Sequence, residues 1–242
     1  MLELKQISKN FGGLRALSNV NLTIHEGEVV GLIGPNGSGK STAFNVITGV
    51  FPPTSGHVIF RGEDITRLPS FKVAKRGMAR TFQLVRPFLH LSTLDNVVAG
   101  CWFSPNGPVT RRSAEARAME ILDQVGLADK AAKEAHGLTV IERKWLEVAR
   151  ALAGNPKLLL LDEFMAGLCS TEIPRALALI TALNQSGITI VVVEHIVKAI
   201  FSTCHRVIVL NAGEMLADGT PQEIINNHLV IEAYLGTRHV DN

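Results

Sequence analysis

The stretch Gly34-Pro35-Asn36-Gly37-Ser38-Gly39-Lys40-Ser41 fits the pattern G-x-x-x-x-G-K-[ST] at every fixed position. Its glycines let the backbone curl tightly with N–H groups turned inward, a nest for an anion. Lys40 can reach terminal phosphates, and the Ser41 hydroxyl can join the shell of a Mg²⁺ ion. The loop needs a strand before it and a helix after it. Residues 28–33 read as a buried strand, and residues 41–50 as a helix whose N-terminus adds positive potential behind the phosphates. The chain therefore carries a nucleotide phosphate site.

With 242 residues, the chain is long enough for one large α/β domain or a core with an insert. A formal net charge of +2 argues against nucleic-acid binding by a basic face. The opening residues carry no signal-peptide pattern, and no apolar run reaches the roughly 18 residues a membrane span needs. A membrane role, if present, is expected to be peripheral. Cys101, Cys169 and Cys204 form no C-x-x-C pair, so neither a disulfide framework nor a zinc site is expected, and the cell interior is the default compartment.

Taken in order, residues 2–8 and 20–24 read as strands joined by a connector containing Phe11 and a glycine pair. Phe11 is either a turn anchor or a ring that stacks on a flat ligand. Residues 56–62 read as a strand, 69–77 as a short helix, and 79–83 as a strand delivering Gln83 to the ligand edge of the sheet. There Gln83 is a solvated strand-end residue or touches a metal or a water. From residue 84 to about 154 helical periodicity takes over, at 94–101, 112–125 and 142–153, with a break at Pro105-Asn106-Gly107-Pro108.

Strand character returns at residues 157–163, an apolar run ending in Asp162 and Glu163. A carboxylate pair after a strand is a common capping turn. Beside a phosphate loop, Asp162 can hold Mg²⁺ and Glu163 can orient or deprotonate an attacking water. Residues 188–195 repeat the design and end at His195, either a satisfied histidine or a sensor of the γ-phosphate. Residues 206–210 and 214–217 read as two more strands, and 221–235 as helical.

These pieces, in this order, resemble the ATP-binding subunit of an ABC transporter over essentially the whole chain. The likeness is strongest to the cassettes of branched-chain amino acid importers, through residues 11–17, 79–83 and 230–236. It implies a P-loop NTPase core (α/β, mostly parallel sheet) with an antiparallel β subdomain, built from residues 1–83 and 155–242. A helical subdomain would cover 84–154. It further implies ATP and Mg²⁺ as ligands. Nucleotide contacts would come from Phe11, Ala16, Asn36, Gly37, Ser38, Gly39, Lys40, Ser41, Thr42, Gln83 and Thr139, metal contacts from Ser41, Gln83 and Asp162, and catalysis from Glu163, His195 and Lys40.

The partners implied are a second cassette and membrane permease subunits, with no nucleic acid. The implied place is the cytoplasmic inner face of the cell membrane. The lipopolysaccharide-export cassette is the nearest confusable relative. The signature segment departs from the family's Leu-Ser-Gly-Gly-Gln: here it reads Leu138-Thr139-Val140-Ile141-Glu142. Two β-branched residues in place of glycines are expected to cost contact or bend the loop. Phe164 stands where the family has Pro, and Cys169 where it has Asp or Asn. ATP hydrolysis stays the expectation, and a weakly hydrolysing regulatory cassette is the alternative that these departures motivate.

Overall fold

The computed structural model describes residues 1–83, 85–102, 104 and 110–235. The expected break at 105–108, and Gly236 of the last family-like segment, lie outside the described residues. In chain order the elements are β1 (Leu2–Phe11), β2 (Leu14–Ile24), β3 (Val29–Ile33), α1 (Lys40–Ile47), β4 (Ser55–Phe60), β5 (Glu63–Asp64), α2 (Ser70–Ala74) and β6 (Met78–Arg80). There follow α3 (Thr93–Cys101), α4 (Arg111–Gln124), α5 (Val140–Ala153), β7 (Leu158–Asp162), α6 (Glu172–Gln185) and β8 (Thr189–Val193). The chain ends in α7 (Val197–Thr203), β9 (Arg206–Asn211), β10 (Glu214–Gly219), α8 (Pro221–Ile225) and α9 (His228–Leu235). Two compact units result, one of residues 1–70 with 189–242, the other of residues 71–188.

In the first unit, β8 and β9 flank β3 in parallel, and β10 adds to β9 antiparallel. All five residues of β3 and all five of β8 are buried, which is why both read as unbroken apolar runs. A separate antiparallel sheet has the order β2-β1-β4-β5. Its first hairpin is longer than the expected strands at 2–8 and 20–24. Most of the connector is itself strand, with pairing running out to Phe11↔Leu14 across the Gly12-Gly13 turn. Register shifts between Leu4 and Asn10, and a left-handed Gln6 (φ +52°), break the period-2 pattern that marks a strand in sequence.

In the second unit, β6 and β7 pair in parallel, Met78 opposite Leu158 and Arg80 opposite Leu160. Helices α3, α4 and α5 pack on one another around Val97, Ile121, Leu122 and Leu146. Strand β6 is shorter than expected: it stops at Arg80, and Gln83 lies past its end and exposed. Strand β8 likewise stops at Val193, before His195. The sequence pattern does not mark helices α6 and α7.

Candidate nucleotide site

Strand β3 ends at Ile33 and the chain enters the phosphate loop through Gly34 at φ +151°. A Cβ there would lie 2.1 Å from the Leu210 carbonyl oxygen and 2.6 Å from Ser38 Oγ, so glycine is required by space as well as by dihedral. Gly39 (φ +105°) is hemmed in the same way by the Ala16 carbonyl at 2.8 Å. That contact is the part Ala16 plays here. The loop is pinned from outside by the β9–β10 turn: the Gly213 N–H donates to Ser38 O at 3.1 Å, and the Ser18 N–H to Gly213 O at 2.8 Å.

Lys40 is 6% exposed, and its ammonium donates to Gly34 O at 2.7 Å and Pro35 O at 3.0 Å, so it lies along the loop's own carbonyls. Helix α1 starts with no side-chain cap and no acidic residue in its first turn. Its leading N–H groups have no intrahelical acceptors. An uncapped positive helix end behind a glycine cradle fits a phosphate. Asn36, Gly37 and Ser41 are exposed, Thr42 is half-buried, and Ser38 is buried within the loop.

Also in the first unit, Phe11 sits at the hairpin tip, 45% exposed and edge-on to Phe51 with ring centres 5.2 Å apart. Lys9 Nζ lies over both rings, at 5.1 and 4.8 Å, while donating to Pro52 O. Phe11 is therefore already anchored, with part of its ring surface open. His195 is exposed just past β8, and its carbonyl accepts from the Val197 N–H at 3.1 Å.

The second unit carries the carboxylates. Asp162 ends β7, buried, with its N–H donating to Thr81 Oγ1 at 3.0 Å. Its Oδ2 takes Arg80 Nη2 at 2.6 Å, and both side chains are more than nine-tenths buried. Glu163 follows at φ +50°, a left-handed backbone for a residue with a Cβ. Gln83 Nε2 donates to Glu163 Oε2 at 2.6 Å, so those two expected residues do meet. Gln83 reaches it from an irregular segment beyond β6, not from a strand end.

Phe164 is buried and packs edge-on against Trp145, ring centres 4.9 Å apart, while the Arg175 guanidinium covers Trp145 at 4.5 Å. The substitution of Phe for Pro is thus absorbed by an aromatic partner on α5. Cys169 takes part in a local cap, its N–H donating to Glu172 Oε2 at 2.8 Å.

Thr139 is the N-cap of α5. Its hydroxyl accepts the Glu142 N–H at 3.2 Å, and Glu142 Oε2 accepts the Thr139 N–H at 2.8 Å, a complete capping box. Of the two expected outcomes at Val140 and Ile141, lost contact or a bent loop, the bend does not occur: α5 starts regularly at Val140. Val140 instead stands 73% exposed at the first helical position. Lys130 hydrogen-bonds Glu142 at 2.6 Å and, with the Thr139 N–H, holds that carboxyl below its usual range.

Sequence reasoning assigned no role to Arg80, Lys144 or Glu147. Lys144 hydrogen-bonds the Ala166 carbonyl just after the carboxylates. Glu147 is buried, which pushes its carboxyl upward against the pull of Arg150 at 2.9 Å. A basic residue beside a strand-end acid gives no periodicity signal, so these partners emerge only in three dimensions.

The glycine-rich loop between β3 and α1 defines the class: a nucleotide-binding protein of the P-loop type. The chain belongs to the ABC transporter family of ATP-binding cassettes, whose family profile matches residues 17–166. A second profile, branched-chain amino acid ATP-binding cassette transporter, matches residues 214–240. The chain is 38% identical to the high-affinity branched-chain amino acid transport ATP-binding protein BraF of Pseudomonas aeruginosa, over 98% of each chain. It is 34% identical to the lipopolysaccharide export system ATP-binding protein LptB of Escherichia coli, over 97% of each. Among solved structures it is similar to the ADP conformation of the cassette MJ1267, with TM-score 0.87, 29% identity and 98% of each chain covered.

Proposed function

We propose that this chain binds and hydrolyses Mg·ATP to power import of branched-chain or related amino acids. One observation carries the choice of substrate class: likeness to BraF runs over 98% of both chains and exceeds that to LptB, 38% against 34%. The match at residues 214–240 supports the same choice.

In this reading the phosphate loop and the start of α1 hold the phosphates, and Lys40 swings from the Gly34 and Pro35 carbonyls to the γ-phosphate. Phe11 offers its open ring surface to the adenine. Ser41, Gln83 and Asp162 are hard oxygen donors of the kind Mg²⁺ takes. When bound, that ion neutralises charge on the phosphate oxygens. Glu163 polarises the attacking water while Gln83 holds its carboxylate, and His195 positions the γ-phosphate. Little covalent chemistry falls to the protein; positioning and fixed charge lower the barrier.

Two copies would sandwich two nucleotides, with Thr139 and the start of α5 completing the other copy's site. The permease would dock near Gln83, where Phe82, Phe88, Leu89 and Leu91 are exposed. Among the described residues no helix is long and apolar enough to cross a membrane, so a peripheral place on the inner face depends on that docking. The test is Glu163→Gln: Mg·ATP binding stays near wild type while steady-state turnover drops by about 10²–10⁴. Undiminished turnover removes Glu163 from the chemistry.

A further inference from the structure

Within the second unit, residues 88–92 and 133–138 run past each other. The Thr93 N–H donates to Lys133 O at 2.8 Å, the Ala135 N–H to Leu91 O at 3.0 Å and the His136 N–H to Leu89 O at 2.9 Å. Ser92 and Glu134 form an isolated antiparallel bridge. Arg143, from α5, clamps the second segment through Nε to Ala135 O at 3.1 Å and Nη2 to His136 O at 2.5 Å. The backbone beneath His90, Glu134 and His136 is therefore fixed on both sides.

Those three side chains are exposed, and one ligand atom from each lies within 4.8 Å of the others. His136 Nδ1 is 3.1 Å from Glu134 Oε2, and the rings of His90 and His136 are 6.2 Å apart, tilted by 44°. Two imidazoles on one tetrahedral ion, with metal–nitrogen bonds of about 2.0–2.1 Å, have ring centres roughly 5 Å apart. The two rings would close by about 1 Å to share one ion. Two imidazoles and a carboxylate suit zinc and its first-row neighbours rather than Mg²⁺, which prefers all-oxygen shells.

We propose that His90, Glu134 and His136 bind one divalent transition-metal ion of the zinc class, with water at the remaining position. The ion staples the segment that follows Gln83 to the segment that leads into the Thr139 cap. Its ligands are independent of the nucleotide residues, so the site is tested without nucleotide.

Co²⁺ alone, titrated into the full chain in nucleotide-free buffer, is expected to give a visible ligand-field band that saturates at one equivalent and is displaced by Zn²⁺. His90→Ala and His136→Ala each weaken binding by more than about a hundredfold, beyond the roughly 10–100-fold that loss of a supporting hydrogen bond costs. Cys169→Ser, which removes the exposed thiol, and His57→Ala, which removes a separate exposed His–Asp pair, leave the band in place. Metal-free circular dichroism checks that each variant is folded, with His→Gln substituted where an alanine variant is not. Absence of the band, or its survival in the folded His90/His136 double variant, overturns the proposal.

Discussion

Arg80 and Asp162 are two opposite charges 2.6 Å apart, with side chains only 7% and 5% exposed. At that depth neither partner is rescued by water when the other is removed. Arg80→Ala is expected to destabilise the chain by about 3–5 kcal/mol in urea unfolding at neutral pH. Replacing both residues with apolar ones of similar volume, Arg80→Met with Asp162→Leu, recovers most of that loss. A single variant as stable as the parent would mean that the ion pair does not hold in solution. The acid was legible because a run of leucines ends on it. The arginine was not, because only the parallel pairing of β6 with β7 brings it alongside. The same holds for Glu163, whose place at a strand end was readable, whereas its left-handed backbone and its bond to Gln83 were not.

At the scale of elements, the start of α5 is governed by its capping box. Thr139→Ala is expected to cost about 1 kcal/mol, measurable by denaturant midpoint at neutral pH. The other half of the box, Glu142, has its carboxyl held below the ordinary value of 4.5, first by Lys130 and then by the Thr139 N–H. A depressed folded-state pKa gives stability that is present above about pH 4.5 and lost as the pH falls through the lower, folded value. Glu142→Gln should therefore lower the melting temperature at pH 7 and make little difference at the acid end of that window; a pH-independent deficit would place the effect in packing. Buried strands such as β3 and β7 declare themselves as continuous apolar runs. Helix α6 did not: Pro174 near its start looks like a breaker, although a first turn tolerates proline because its N–H has no helical acceptor. The β1–β2 hairpin hid for a different reason, since its bulges shift the apolar residues out of alternation.

At the scale of the whole molecule, the open question is whether this chain pairs with a copy of itself. Pairing would bring the start of one α5 against phosphates held by the other copy, where Val140 presents a 73% exposed side chain in place of a family glycine. The backbone there is regular and the cap intact, so the obstacle is one of side-chain bulk, not of loop shape. In the Glu163→Gln background, where ATP persists, sedimentation with Mg·ATP is expected to show a dimer that Mg·ADP does not support. Adding Val140→Gly and Ile141→Gly should tighten that dimer several-fold, even though each glycine costs the helix up to about 1 kcal/mol. A chain that stays monomeric in both backgrounds requires a different cassette as its partner. A dimer weakened by the glycines, with the helix content of the variant unchanged by circular dichroism, would instead make Val140 a contact that the pairing uses.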